Sequence, residues 1–85
     1  MKRQHLKTLA LIFKRPVSAN VKFTAAMGLL QELGAEIDES REGSRVAIDL
    51  FDDLKVLHKP HPDPNLDKAT VAELRDWLHD HGVMP

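Results

Sequence analysis

The feature that most constrains the fold of this chain is a pair of short apolar segments separated by two aspartates. Residues 46–50 alternate with the two-residue period of a half-buried strand. The side chains that this period assigns to the core face are Val46, Ile48 and Leu50. Asp52 and Asp53 favour a tight turn, and residues 54–58 follow at hairpin distance as the next strand. An antiparallel hairpin is therefore predicted at the centre of the chain.

A third strand and a basic helix are predicted upstream of this hairpin. Residues 35–40 are predicted to form the first strand and residues 41–43 its turn, which completes a three-stranded antiparallel meander. Nearer the start, apolar residues follow helical spacing until Pro16 stops the pattern. The spacing predicts an amphipathic helix over residues 4–14.

Two further helices flank the three strands. Thr24 is placed to cap the first of them, and Gly34 is placed for its C-terminal turn. After the strands, the segment that starts at Thr70 and reaches Glu73 matches a capping box, and Gly82 ends the last helix. Trp77 lies close to the apolar stripe of that helix and is expected to pack in the core.

Length and composition fit one small domain with a single core. The chain has 85 residues, no internal repeat and no low-complexity linker. The fold class is α+β, with a three-stranded antiparallel sheet that carries its helices on one face. Residues 1–20 form a basic helical extension, and residues 21–85 form the main domain.

Composition also limits the compartment and the chemistry. There is no cysteine, so a disulfide framework, a thiolate metal site and a thiol nucleophile are excluded. No apolar run approaches the ~20 residues of a membrane-spanning helix. We therefore expect a cytoplasmic protein that acts without a membrane, a metal or a cofactor.

Charge is distributed unevenly along the chain although the net charge is only −1. The first 31 residues contain no acid, and their cations are Lys2, Arg3, Lys7, Lys14, Arg15 and Lys22. Acids outnumber Lys and Arg in the last 25 residues. A bipolar surface with one basic side is predicted, and such a side suits a polyanion. A solvated helix face without a partner is the alternative interpretation.

Two histidines stand in a proline-stiffened segment directly after the third strand. If Leu54 and Val56 point into the core, His58 shares their face and is a hydrogen-bonded boundary residue. His61 lies beyond Pro60, where the loop is free to present an imidazole to solvent. Histidine exchanges a proton near neutral pH, as attack of a ribose 2′-hydroxyl on the adjacent phosphate requires. His61 is thus the first catalytic candidate and His58 the second.

Two cations are candidates for holding a phosphate near these histidines. Arg45 alternates with the core residues of its strand and points to the opposite face, where its planar fork suits bidentate contact. Lys59 is assigned to the side away from the core and supplies a second positive charge. The spacing of His58 and His61 also matches half of a metal site, but two imidazoles without cysteine are weak support for zinc.

The motifs resemble those of a known family in their order and spacing. Gly43-Ser44-Arg45, the meander, His61-Pro62 and the helix start at Thr70-Val71 are similar to HicA-type toxins of bacterial toxin-antitoxin pairs, over about residues 21–83. The family motif at this turn is Gly-Ser-His, and its histidine is the catalytic residue. This chain has Arg45 at the position of that histidine. The sequence resembles a subgroup with Gly-Ser-Arg, so the catalytic role is not carried over to this position.

The resemblance implies a fold and a function. It implies a double-stranded-RNA-binding-domain-like α-β-β-β-α fold and a metal-independent endoribonuclease that cleaves single-stranded mRNA. A HicB-like antitoxin protein is the implied partner and inhibitor. The substrate-binding residues are then Ser44, Arg45 and Lys59. A non-catalytic RNA-binding or protein-interaction module on the same fold is the alternative.

Overall fold

Three helices and a three-stranded sheet make up the fold. A computed structural model describes residues 1–40 and 43–85. The elements in chain order are α1 (Arg3–Phe13), α2 (Phe23–Glu32), β1 (Glu36–Asp38), β2 (Arg45–Leu50), β3 (Asp53–His58) and α3 (Lys68–Asp80). The strands pair in the order β1-β2-β3, and both pairings are antiparallel. The predicted α+β meander with flanking helices is confirmed at this level.

One hydrophobic core lies between the inner face of the sheet and the helices. Its largest side chains with almost no exposure are Ile12, Leu29, Leu30, Ile48, Leu66, Leu74 and Leu78. Helix α1 contributes Leu9 and Ile12 to this cluster and packs against both α2 and α3. The basic N-terminal helix is therefore an integral layer of the domain. No helix of the described chain is long and apolar enough to cross a membrane.

The ends of α2 agree only in part with the sequence pattern. Gly34 follows the helix with φ = 105°, which confirms the predicted C-terminal turn. The cap at Thr24 is wrong, because α2 already begins at Phe23 and its N-cap residue Lys22 makes no side-chain cap. The backbone N–H of Phe23 instead donates to the carbonyl of Pro64, at 2.9 Å. A tertiary contact thus replaces the local cap and fixes the segment before α3 beside α2.

Helix α3 begins earlier than the capping-box pattern predicted. Asp67 is the N-cap, and its Oδ1 accepts a hydrogen bond from the backbone N–H of Thr70 at 2.7 Å. Thr70 is therefore already helical, and the predicted box that starts there is wrong. The predicted end at Gly82 is confirmed by a left-handed residue with φ = 80°. Trp77 is buried as expected, and its Nε1–H donates to Asp53 at 2.9 Å.

The turn between β2 and β3 sets the register of the hairpin. Leu50 pairs with Asp53, so the two turn residues are Phe51 and Asp52, both with positive φ. In an antiparallel pair, directly opposed residues share a face. Leu57, which is opposite buried Val46, is consequently 2% exposed. The turn therefore lies one residue earlier in the chain than predicted, at residues 51–52 instead of 52–53.

This register corrects the predicted faces of β3. Leu54 and Val56 were expected in the core, yet they are 57% and 43% exposed. Their face also carries His58, which is exposed and does not border the core. Lys55 lies on the inner side instead, where its ammonium pairs with Glu73 of α3 at 3.8 Å. A shift of one residue moves every side chain of a strand to the opposite face. Because the turn begins one residue earlier than predicted, the predicted inner and outer faces of β3 are exchanged.

The outer face of the sheet is open among the described residues. It carries Leu54 and Val56 beside the acids of the neighbouring strands, and Glu36 of β1 lies directly opposite Asp49 of β2. The predicted turn over residues 41–43 falls, except for Gly43, outside the described part of the chain. Gly43 itself has φ = 72°, as a turn glycine requires.

Candidate functional site

The residues selected from the sequence gather at one end of the hairpin. Arg45 begins β2 and His58 ends β3, and the two are direct cross-strand partners. One step further, the backbone N–H of Lys59 donates to the carbonyl of Ser44. This bond makes the Arg45–His58 pair a non-hydrogen-bonded one, in which Cα atoms of opposed residues approach to about 4.5 Å. A guanidinium and an imidazole thus stand side by side on the outer face.

A surface cleft of about 500 Å³ opens where β3 leads into α3. Its lining includes His58, Lys59 and His61 and, at the start of α3, Asp67 and Lys68. The cleft has three predicted site residues in its lining, whereas Arg45 stands next to it through its pairing with His58. Two histidines and two lysines therefore border one volume, together with the carboxylates of Asp63 and Asp67.

Asp67 is a residue of this cleft that the sequence motifs did not single out. Its pKa lies below the ordinary aspartate value, chiefly because the backbone N–H and then the side chain of Thr70 bond to the carboxylate, with a smaller contribution from the nearby charge of His58. The carboxylate is therefore ionised at neutral pH and stands close enough to His58 to interact with it electrostatically. An aspartate three residues before Thr70 is a typical N-cap, and this pattern was the sequence signal that could have placed Asp67 at the start of α3.

His61 lies on the exposed side of the cleft. It follows half-buried Pro60 and is itself exposed, as predicted for a loop imidazole. Asp63 closes the next turn by accepting a hydrogen bond from the backbone N–H of Asn65 at 2.9 Å. Asn65 then bridges to Lys22, which precedes α2. The loop that presents His61 is thus held to the body of the domain directly after this residue.

Lys59 points to the helix side of the sheet, and this corrects its predicted direction away from the core. Its Nζ lies 5.6 Å from the ring centroid of Phe23 on α2 and 3.2 Å from Oε1 of Glu39. Lys59 is also among the residues that line the cleft with the histidines. Lys59 therefore separates the catalytic candidates from a second cleft, next to α2, that the sequence analysis did not find.

Within residues 1–40 and 43–85, no three His, Asp or Glu side chains converge closely enough to share a metal ion. The two spaced histidines therefore have no third ligand among the described residues.

Comparisons of this chain with protein-family models, with curated proteins and with solved structures found no match.

Proposed function

We propose that the protein is a HicA-like toxin, a metal-independent endoribonuclease that cleaves mRNA at the cleft between β3 and α3. The observation that carries the proposal is that His58, Lys59 and His61 line a single cleft, with Arg45 opposite His58. RNA carries its own nucleophile, the ribose 2′-hydroxyl. Cleavage therefore requires only a base, an acid and positive charge around one phosphate.

In the proposed reaction the 2′-oxygen attacks the adjacent phosphorus, and the bond to the 5′-oxygen of the next nucleotide breaks. One imidazole takes the proton of the 2′-hydroxyl, and the other gives a proton to the departing 5′-oxygen. The products are a 2′,3′-cyclic phosphate and a free 5′-hydroxyl. Arg45 and Lys59 stabilise the negative charge that develops on the phosphoryl oxygens.

The corrected register strengthens the role of His58 in this proposal. His58 is exposed, borders the cleft and has Arg45 beside it, so it is as accessible to substrate as His61. His61 remains the first candidate, because it stands in the loop. The strand order is also that of the double-stranded-RNA-binding-domain-like fold, which we propose for the α2-to-α3 part of the chain. We further propose a HicB-like protein as the partner that covers the cleft.

The second candidate function is a non-catalytic module that binds RNA or a protein. The exposed apolar side chains of Leu54 and Val56 on the open sheet face favour protein binding. This alternative predicts that the chain binds its partner without turnover of RNA.

Cleavage of a long single-stranded transcript in EDTA tests the proposal. His61→Ala and His58→Ala are each expected to lower the single-turnover rate by about 10²-fold or more, which is typical of a lost acid or base. His79→Ala is the matched control, because His79 is also exposed but lies in the last turn of α3, outside the cleft. Cleavage by the His58/His61 double variant at the wild-type rate would falsify the proposal.

Arg45→Lys separates charge stabilisation from simple binding in the same assay. Lysine keeps the charge and loses the bidentate fork, so we expect RNA affinity to remain and the cleavage rate to fall. Equal losses of affinity and rate would assign Arg45 to binding alone.

A further inference from the structure

A second cleft adjoins the histidine cleft and shares Lys59 with it. It has a volume of about 310 Å³ and lies between α2 and the end of β1. This size is at the lower end of the roughly 300 to 1,000 Å³ range of small-molecule sites. Since Lys59 lines both clefts, a phosphate held at Lys59 places its own nucleoside at the entrance of the second one.

The lining of this second cleft combines an apolar floor with a polar rim. The floor is formed by Phe23 and Met27, which are only 6% and 7% exposed, and by half-buried Ile37, and the rim by the exposed residues Gln31, Glu39 and Lys59. Apolar surfaces contact the faces of nucleobases, and polar groups at the rim read their hydrogen-bonding edges. The cleft thus has the components of a base-binding subsite beside a phosphate-binding cation.

Glu39 determines which base fits the rim. A carboxylate accepts hydrogen bonds with both oxygens and donates none. Guanine alone among the four RNA bases presents two adjacent N–H donors, N1–H and N2–H, on its Watson–Crick edge. Adenine, cytosine and uracil each place an acceptor next to their donor, which leaves one carboxylate oxygen against a lone pair.

The position of Glu39 is fixed by the end of β1. Both the backbone N–H and the hydroxyl of Ser40 donate to Oδ1 of Asp38, at 2.9 and 2.5 Å, and this turn holds the residue between them. Glu39 and Lys59 pair at 3.2 Å with about half of each side chain exposed. An ion pair this exposed contributes little stability, so it is readily exchanged for a base at Glu39 and a phosphate at Lys59.

We propose that the cleft between α2 and β1 is a guanine-binding subsite that selects the nucleotide next to the bond cleaved at the histidines. The inference rests on the proposed ribonuclease function for its biological meaning, but binding of the base is measurable without any cleavage. Glu39 accepts from the guanine edge, half-buried Ile37 provides apolar surface against the base, and Lys59 holds the adjoining phosphate.

Titration with nucleoside 3′-monophosphates, followed by amide NMR shifts, tests the subsite. Guanosine monophosphate is expected to bind roughly tenfold or more tightly than adenosine monophosphate, because a bidentate base contact discriminates by about that factor or more. Glu39→Gln is expected to abolish the preference. Glu36→Gln is the control, since it makes the same charge change two residues before the end of the β1 segment, on the outer face.

The outcomes distinguish this inference from the proposed function. Guanine preference that survives in Glu39→Gln, or equal binding of all four monophosphates, would overturn the subsite even if RNA is cleaved. Selective binding of guanosine monophosphate without cleavage of any transcript would support the subsite and remove the nuclease. A guanine-containing tetranucleotide that binds no more tightly than the monophosphate would overturn RNA as the ligand in favour of a free nucleotide.

Discussion

The placement of the site depends on the face of β3 to which each side chain points, and two leucines of that strand report it directly. Leu57 is 2% exposed and packs against the helices, whereas Leu54 in the same strand is 57% exposed. Leu57→Ala removes three carbon atoms from a closed core, which costs about 2 to 5 kcal/mol. Leu54→Ala removes the same atoms from solvent and is expected to stay within about 0.5 kcal/mol.

The expected difference is large for a domain of this size. A loss of about 3 kcal/mol lowers the midpoint of thermal unfolding by roughly 12 to 24 °C in a domain of 60 to 100 residues. Circular dichroism melting of the two variants beside the wild type measures it. His58→Ala, on the face of Leu54, is expected to leave the midpoint nearly unchanged. A greater loss for Leu54→Ala than for Leu57→Ala would refute the register and return His58 to the core boundary.

Three further predictions concern charge and capping. His81 and Trp77 both donate hydrogen bonds to Asp53 and hold its pKa below the ordinary aspartate value, with the larger effect from His81. The ionised carboxylate therefore stabilises the fold above about pH 4, and this stabilisation is lost as the pH falls further. Urea midpoints of Asp53→Asn are therefore expected to lie below those of the wild type at pH 6 and to converge with them near pH 2; a constant gap would contradict this. Asp67→Ala is expected to lose about 1 kcal/mol, since it removes the N-cap of α3, while Asp67→Asn retains most of it in the same melting assay. If RNA contacts α1, replacing Lys7 of this helix and Lys14, its C-cap residue, by glutamine should reduce the log–log salt slope of binding by about 1.4, because each single-strand phosphate contact contributes about 0.7. An unchanged slope would remove α1 from the RNA surface.

The order of helices and strands could be predicted because local signals agree with the tertiary structure. The three residues that the alternation of β2 assigns to the core are buried, together with Ala47 on the other face, and Gly34 and Gly82 both occupy left-handed positions after helices. The caps at Thr24 and Thr70 could not be placed correctly. At the start of α2, the carbonyl of Pro64 from a distant segment accepts the bond from the first backbone N–H of the helix. At the start of α3, Asp67 takes the N-cap position three residues before Thr70.

The register of β3 could not be predicted, because its turn has no sequence signature. Phe51 and Asp52 both adopt positive φ without glycine or asparagine, which are the usual residues of such turns. The ring of Phe51 lies 5.3 Å from that of His81, and Asp53 accepts a hydrogen bond from Trp77 of α3, so contacts with the last helix and its C-cap residue hold the turn. The apolar character of Leu54 and Val56 pointed to the opposite assignment.

In the candidate site too, residues close together in sequence could be predicted, whereas residues brought together only by the fold could not. The segment that contains His58, Lys59 and His61 is continuous in sequence, so its shared cleft could be anticipated. Glu39 is 20 residues from Lys59, and only the fold brings their charges together. Phe23 is still further away along the chain, and its helical spacing resembles that of any core residue.

The opposed carboxylates of Glu36 and Asp49 on the open sheet face affect how the protein behaves at high concentration. Like charges directly opposite each other destabilise a strand pair, so this arrangement weakens the fold slightly. A two-fold dimer formed through this face would bring the acids of both copies together around Leu54 and Val56. Mutual repulsion between these carboxylates thus opposes self-association through the exposed apolar surface. Self-association through this face is therefore expected to increase at high salt, where the repulsion between these carboxylates is screened.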